Sequence, residues 1–104
     1  MSTYKEDIDS KRRSSNEVFI GKKPLMTYVT ATLVQLANEV TVHIKARGKS
    51  IPMAVDVAQI IVKRMNALGY RIASVKVDSE TVKSQDGRTR NVSTIEIAVS
   101  RNSY

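Results

Sequence analysis

The sequence predicts an α/β fold of two layers (α+β), in which two helices pack on a mixed four-stranded sheet in the order β-α-β-α-β-β. Two segments repeat apolar residues at helical spacing, and the segments around them are short apolar runs or alternate apolar with polar residues. Near the end of the chain, Asp86-Gly87 joins two alternating segments, which is a strong hairpin signal. At 104 residues, the chain has the size of one domain with one core.

The first strand and the first helix meet at a basic corner. Residues 18–20 form a short apolar run, and Pro24 suits the first turn of a helix, because the N–H that it lacks is not needed there. The predicted helix covers residues 25–38, with apolar positions at Leu25, Val29, Leu33, Leu36, Ala37 and Val40. Lys22 and Lys23 precede it, and N–H groups at a helix N-terminus favour an anion. We therefore expect this corner to face phosphate.

The outward face of this helix is nearly uncharged, so the helix is not expected to read bases in a groove. It carries Thr27, Thr30, Thr32, Gln35 and Glu39. Tyr28 is the exception on that face and lies one turn from the lysines. Two interpretations are open: its phenol reaches a phosphate or a sugar, or its ring is half-buried and packs on the helix.

A second basic corner follows the second strand. Residues 41–46 alternate apolar and polar side chains, as expected of a strand with two unlike faces. Arg47 and Lys49 then flank Gly48, which permits a tight turn before the second helix. Positive charge is thus placed between a strand and a helix for a second time.

The second helix, predicted over residues 51–68, carries two apolar surfaces. The main stripe is expected to face the sheet and consists of Ile51, Ala54, Val55, Ala58, Ile61, Val62, Met65 and Leu68. At ~100° per residue, a second patch lies roughly opposite and consists of Met53, Val57 and Ile60. Because a monomer covers only one side of such a helix, we assign the second patch to the interface of a two-fold homodimer.

The last two strands form a hairpin with a basic tip. Residues 71–83 and 91–99 both alternate apolar with polar side chains, and an Asp-Gly turn lies between them. The basic residues near the tip are Lys83, Arg88 and Arg90. Since this part of the hairpin has little apolar material to bury, we expect a protruding, mobile arm. A solvated loop is the alternative.

Strand direction is expected to bring these basic segments together. Strand-helix-strand connections are overwhelmingly crossovers between parallel strands, so the first three strands should end at one edge of the sheet. Seven basic residues would then share that edge: Lys22, Lys23, Arg47, Lys49, Lys83, Arg88 and Arg90. Small-molecule sites at such an edge usually have glycine-rich phosphate loops, which this sequence lacks. A broad basic rim is better suited to a polyanion.

Charge and composition also favour a nucleic acid or another anionic surface as the partner. The net charge is +7 and the isoelectric point is near 9.9. Cysteine is absent, so no disulfide and no thiolate metal site is expected. Residues 1–15 are polar and are interpreted as a flexible tail before a single domain over residues 16–104. With no apolar signal segment and no run near the ~20 residues of a membrane span, we expect a cytoplasmic protein without membrane contact.

The titratable residues do not indicate catalysis or a cofactor. The single histidine, His43, lies in a strand pattern, where a structural or surface role fits best. The carboxylates have no spacing that would gather them for acid–base chemistry or metal binding: Asp56, Asp78, Glu80, Asp86 and Glu96. We therefore expect a protein that is not an enzyme and that holds no cofactor or metal.

Four segments carry a resemblance to a known family: residues 19–28, 44–49, 84–88 and 92–97. In order and in near-constant spacing over about residues 16–99, the chain resembles the Alba family of archaeal chromatin and RNA-binding proteins. The resemblance implies an Alba-like fold and a homodimer that binds double-stranded DNA and RNA without strong sequence preference. It also implies side-by-side association of dimers that coat and compact chromosomal DNA, and hence a chromosome-associated protein.

The resemblance further implies roles for individual residues. The lysine pair contacts phosphate in that family, and acetylation of its first lysine, here Lys22, weakens DNA binding, so an acetylase and a deacetylase are implied partners. Other positions that the family uses for nucleic acid correspond to Lys23, Tyr28, Arg47, Arg88 and Arg90. Lys49 stands where relatives often have arginine, which keeps the charge but loses bidentate geometry. Met65 takes the place of an aromatic residue that mediates contacts between dimers in some members.

Two other functions remain open on the sequence. A ribonucleoprotein subunit or RNA chaperone would act mainly on structured RNA. Stacking on single strands needs aromatic side chains, and the chain has one phenylalanine and four tyrosines. Recognition of a duplex or of a folded backbone is therefore favoured, which does not separate DNA from RNA. The third interpretation is a purely structural scaffold.

Overall fold

The computed structural model describes residues 16–64 and 69–101. These ranges contain, in the predicted order, β1 (Glu17–Phe19), α1 (Leu25–Leu36), β2 (Thr41–Arg47), α2 (Ile51–Arg64), β3 (Tyr70–Lys83) and β4 (Thr89–Arg101). The predicted class, a mixed four-stranded sheet with two helices, is confirmed. Neither helix in these ranges is long and apolar enough to cross a membrane. The predicted tail and Met65 lie outside the described residues.

The four strands form one sheet in the order β1-β2-β4-β3. β1 pairs with β2 in parallel, with Val18 opposite Ile44, whereas β4 is antiparallel to both of its neighbours. β1, β2 and β3 therefore run in the same direction and end at the same edge of the sheet, as the crossover argument predicts. β4 returns from that edge between β2 and β3, which makes the sheet mixed.

Both helices pack on one face of the sheet, and the core lies between the two layers. Alternation along the strands directs Val42 and Ile44 of β2 and Val99 of β4 toward the helices, and all three are fully buried. The helices contribute Val29, Leu36, Ala54, Val57, Ala58 and Ile61 to the same core. The alternate residues of the strands, such as Lys45 and Glu96, lie on the opposite face, which we call the open face.

The buried side of α2 is rotated relative to the predicted stripe. Four of its residues are at most 1% exposed and follow the i, i+3, i+4, i+7 spacing of one helix face: Ala54, Val57, Ala58 and Ile61. The assignment of Val57 to a subunit interface is wrong, because its side chain is fully buried in the monomer core. Val55, predicted to face the sheet, is 39% exposed, and Met53 and Ile60 are half-buried beside the core. Apolar residues cover so much of this helix that spacing alone does not determine which arc faces the sheet.

Candidate nucleic-acid interface

Four exposed basic residues lie where β1 and β2 end. The loop after β1 carries Lys22 and Lys23, and the end of β2 and the turn after it carry Arg47 and Lys49. Because β1 and β2 are parallel neighbours, their ends are adjacent at one edge of the sheet. Gly48, at φ +57°, turns the chain there from β2 into a 3-10 turn, Gly48–Ser50, that includes Lys49. We call these four basic residues the basic rim.

β3 and β4 extend beyond the rest of the sheet. β2 ends at Arg47, opposite Thr94 of β4. Past this row, five further residue pairs join β3 to β4, and within the described ranges no third strand flanks them. At ~3.3 Å per residue, this ribbon is about 17 Å long. We call residues 79–93 the arm; its exposed basic residues are Lys83, Arg88 and Arg90.

Hydrogen bonds close the tip of the arm. The N–H of Ser84 donates to the carbonyl of Arg88 at 2.8 Å, and the N–H of Gly87 donates to the carbonyl of Ser84 at 3.0 Å. Gly87 has φ +86°, a left-handed conformation that favours glycine. Hydrogen bonds from the Ser84 hydroxyl and the Arg88 N–H hold the Asp86 carboxylate and lower the pKa of Asp86. The tip is therefore a defined turn that presents Arg88 to solvent.

Tyr28 supports, from the core side, the loop of residues 20–24 between β1 and α1, which carries Lys22 and Lys23 and which we call the lysine loop. The outward-facing position predicted for Tyr28 is wrong, because the residue is only 7% exposed and belongs to the core. Its hydroxyl oxygen accepts hydrogen bonds from the N–H of Gly21 at 2.8 Å and from the N–H of Lys23 at 2.9 Å. Gly21 permits this close approach, since a Cβ there would lie 3.2 Å from the hydroxyl oxygen. The ring of Tyr28 is therefore packed, as the second interpretation expects, and is not available as a surface for stacking. A contact between its hydroxyl and a phosphate or sugar stays a prediction.

The N-terminus of α1 adds to the positive character of the lysine loop. Pro24 is the N-cap residue, no side chain caps the helix, and its first turn contains no acidic residue. The first N–H groups of a helix lack intrahelical partners and carry partial positive charge, which favours an anion. Lys22 and Lys23 immediately precede this end of the helix, so the three contributions have the same sign.

One residue of the basic rim has an acidic partner that sequence reasoning missed. Nη1 of Arg47 lies 3.1 Å from Oε1 of Glu80 on β3, and the two side chains are 67% and 52% exposed. The residues are 33 positions apart in the sequence, and β4 lies between their strands. No local pattern could have indicated this pair, because only the strand order brings the two side chains together.

On the open face, the basic side chain of Lys45 is paired with two carboxylates. Nζ of Lys45 is hydrogen-bonded to Glu17 and lies 3.7 Å from Oε1 of Glu96, and the bond to Glu17 is the main cause that raises the pKa of Lys45. Nδ1 of His43 lies 3.0 Å from Oε2 of Glu96, but the two atoms do not form a hydrogen bond in this structure. Within residues 16–64 and 69–101, no three His, Asp or Glu side chains are grouped as metal ligands would be.

Comparison with known proteins gives concordant results. The family model described as Alba matches residues 16–79. The chain is 66% identical over 85 residues to the DNA/RNA-binding protein Alba of Nitrosopumilus maritimus (strain SCM1), and the match covers 82% of this chain and 90% of that protein. Among solved structures, Alba from Thermoplasma volcanium matches with a TM-score of 0.75 and 42% identity, over 83% of this chain and 100% of that one. ALBA1 from Trypanosoma brucei matches with a TM-score of 0.56 and 25% identity, over 84% of this chain and 70% of that one.

Proposed function

The chain belongs to the Alba family, and from this premise we propose that it binds double-stranded DNA and RNA through the basic rim and the arm. Binding is to phosphate rather than to bases and is therefore independent of sequence. The observation that best supports this proposal is the presence of seven exposed basic residues, from three segments, at one edge of the sheet. Further support comes from the relative that is named a DNA/RNA-binding protein.

Contacts between phosphates and lysine or arginine side chains are sufficient for binding to nucleic acid, without side chains that read bases. Each lysine or arginine that neutralises a phosphate releases condensed counterions, so the logarithm of affinity falls with the logarithm of salt by about 0.9 per contact on duplex DNA. Lys22 and Lys23 beside the N-terminus of α1 form the centre of the surface. The arm, about 17 Å long, is long enough to reach across a minor groove about 6 Å wide or a major groove about 12 Å wide.

We infer that the binding unit is a two-fold homodimer. Val75 and Val77 are 55% and 71% exposed, although they lie opposite isoleucines of β4 on the face of the sheet that packs against the helices. Exposed apolar surface of this kind is typically covered by another subunit. Met53 and Ile60 remain in the proposed interface, whereas Val57 does not. A two-fold axis would double the rim and supply two arms.

In the cell, we propose that the protein coats and compacts chromosomal DNA, is cytoplasmic and chromosome-associated, and acts by binding rather than as an enzyme. Lys22 is exposed and therefore accessible to an acetylase and a deacetylase. Acetylation would remove one positive charge from the centre of the surface and weaken binding. Side-by-side association of dimers would extend the coat.

The second candidate is a ribonucleoprotein subunit or RNA chaperone that acts mainly on structured RNA. The observation that favours it is the relative's name, which includes RNA as well as DNA. Contacts to the phosphate backbone do not by themselves distinguish the two polymers. This candidate uses the same rim and arm and differs only in the physiological partner.

A matched pair of double variants tests the proposed surface. Lys22→Gln with Lys23→Gln should weaken binding to a short DNA duplex and to the RNA duplex of the same sequence. Lys63→Gln with Arg64→Gln removes the same charge from the last turn of α2, a helix that starts beside the rim and leads away from it. Fluorescence anisotropy over a salt series measures both. Equal losses in the two variants would indicate that net charge, rather than the basic rim, determines affinity.

Two further experiments separate the remaining functions. The first replaces Arg47 and Lys49 by glutamine in addition to Lys22 and Lys23. If this fourfold variant keeps its affinity for the duplexes at low salt, the rim is not the binding surface and the purely structural scaffold is favoured. Crosslinking in cells, followed by sequencing of the recovered DNA and RNA, identifies the polymer. Recovery of DNA from across the chromosome supports a chromosomal coat, whereas recovery of a few structured RNAs would contradict it and favour the ribonucleoprotein subunit.

A further inference from the structure

The Arg47–Glu80 pair places a negative charge inside the proposed binding surface. Arg47 is the last residue of β2 and part of the basic rim, whereas Glu80 is on β3 at the base of the arm. Thr94 of β4 is opposite both Arg47 and Asp78, so Glu80 lies two residues further toward the tip. The two side chains meet at 3.1 Å across the open face.

The Arg47–Glu80 pair contributes little to the stability of the fold. Both side chains are more than half exposed, at 67% and 52%. Exposed ion pairs contribute little to folding, because water screens the attraction and two long side chains lose conformational freedom. The main effect of Glu80 is therefore on the positive charge that Arg47 contributes to the rim. While the pair is closed, one guanidinium nitrogen of Arg47 is engaged by a carboxylate instead of a phosphate.

We propose that Glu80 sets the strength with which Arg47 holds a phosphate, by competing with the phosphate for the guanidinium group. This inference rests on the proposed binding of nucleic acid to the basic rim. A phosphate that approaches Arg47 must displace the carboxylate or share the guanidinium with it, and it then lies within a Debye length of the negative charge of Glu80. Glu80 thus lowers affinity at the point where the basic rim meets the base of the arm.

Asp78 provides a matched comparison on the same strand. It is two residues from Glu80, and alternation along β3 places both on the open face. Its Oδ1 accepts a hydrogen bond from the N–H of Ser79 at 2.8 Å, so this carboxylate is engaged with its own backbone. Asp78→Asn and Glu80→Gln each remove one negative charge, but only Glu80→Gln releases Arg47. The difference between the two variants isolates the competition from the change in net charge.

The test uses the full chain with the replacements Glu80→Gln, Asp78→Asn and Arg47→Gln, and the double variant Arg47→Gln/Glu80→Gln. Affinity for a short DNA duplex and for the RNA duplex of the same sequence is measured by fluorescence anisotropy at low and high salt. Glu80→Gln should bind both about three- to tenfold more tightly at low salt, and the gain should shrink at high salt. Asp78→Asn should show a smaller gain of about twofold at most. In the Arg47→Gln background, Glu80→Gln should add no more than Asp78→Asn does.

Three results would overturn the competition between Glu80 and phosphate. Weaker binding by Glu80→Gln would mean that Glu80 instead orients Arg47 for phosphate. Equal gains in Glu80→Gln and Asp78→Asn, or the same gain with and without Arg47, would reduce the effect to net charge. Failure of the proposed function is seen separately, because the unmodified protein would then show no salt-dependent binding. Circular dichroism confirms that the exposed replacements leave the fold intact.

Discussion

The hydroxyl oxygen of Tyr28 accepts a hydrogen bond from the N–H of Lys23 at 2.9 Å, and so joins the first turn of α1 to the loop that carries the lysine pair. The same oxygen accepts a hydrogen bond from the N–H of Gly21 at 2.8 Å. One buried phenol therefore holds both ends of the short segment that presents Lys22. Tyr28 is accordingly a positioning residue for the basic rim rather than a group that contacts nucleic acid with its ring.

Tyr28→Phe should weaken binding to nucleic acid although it changes no charge. The variant leaves two backbone N–H groups without their acceptor, and we expect the free energy of unfolding to fall by about 1–2 kcal/mol. Denaturant unfolding and fluorescence anisotropy measure the two effects. Tyr70→Phe removes a hydroxyl at the start of β3, at the opposite edge of the sheet, and should leave affinity unchanged. Unchanged affinity of Tyr28→Phe would remove the positioning role.

Lys22→Gln, which mimics the charge of acetyl-lysine, should weaken binding to all duplexes alike. The variant gives up one phosphate interaction per protomer, and each such interaction accounts for about 0.9 of the salt slope on duplex DNA, so the slope should become shallower. Lys22→Arg keeps the charge and should bind nearly as the unmodified protein does. The measurement compares A·T-rich and G·C-rich duplexes over a salt series. Weakening confined to one of the two sequences would contradict recognition of phosphate alone.

Val77→Asp should convert the proposed dimer to a monomer. Val77 is 71% exposed on edge strand β3, and a buried charge in the interface would cost far more than the apolar packing it replaces. Affinity for nucleic acid should fall as well, because two linked rims bind more tightly than one. Sedimentation velocity measures the oligomeric state. Val34→Asp, at a 61% exposed position on α1, is the control, and equal sedimentation of both variants would argue against this interface.

The turn at the tip of the arm should open only in acid. The pKa of Asp86 is lowered by hydrogen bonds from the Ser84 hydroxyl and the Arg88 N–H, so the folded carboxyl holds its charge below the ordinary value of about 3.9. The stabilisation is complete above the pKa of the unfolded chain and is lost as pH falls through the lower pKa of the folded turn. The amide signal of Arg88 in NMR spectra should therefore titrate below the ordinary carboxyl range. Titration at the ordinary pKa would show that these bonds do not hold the turn, and Asp86→Asn should abolish the titration.

The order of elements and their approximate bounds could be predicted from the sequence, because they depend on local periodicity. Alternation along residues 41–46 and the Asp-Gly signal of the hairpin involve neighbours in the chain. The common edge for the basic segments follows from the parallel direction of strands that a helix connects, which depends only on the order of elements along the chain. Helix ends depend on more than periodicity: α1 ends at Leu36, two residues before the predicted position.

Tertiary structure decided the features that depend on distant contacts. Val57 is in the core because α2 lies on the sheet along one particular arc, and a helix with apolar residues on most of its circumference does not specify that arc by spacing. Tyr28 can be buried because its ring packs in the core and its hydroxyl accepts hydrogen bonds from two N–H groups of the loop that folds back over it. Arg47 meets Glu80 because β4 lies between β2 and β3, an order that the sequence does not state. The sequence alone thus determined where positive charge lies along the chain. Only the packed sheet decided that Tyr28 holds the backbone of the lysine pair and that Glu80 pairs with Arg47, because both contacts join residues that the fold brings together.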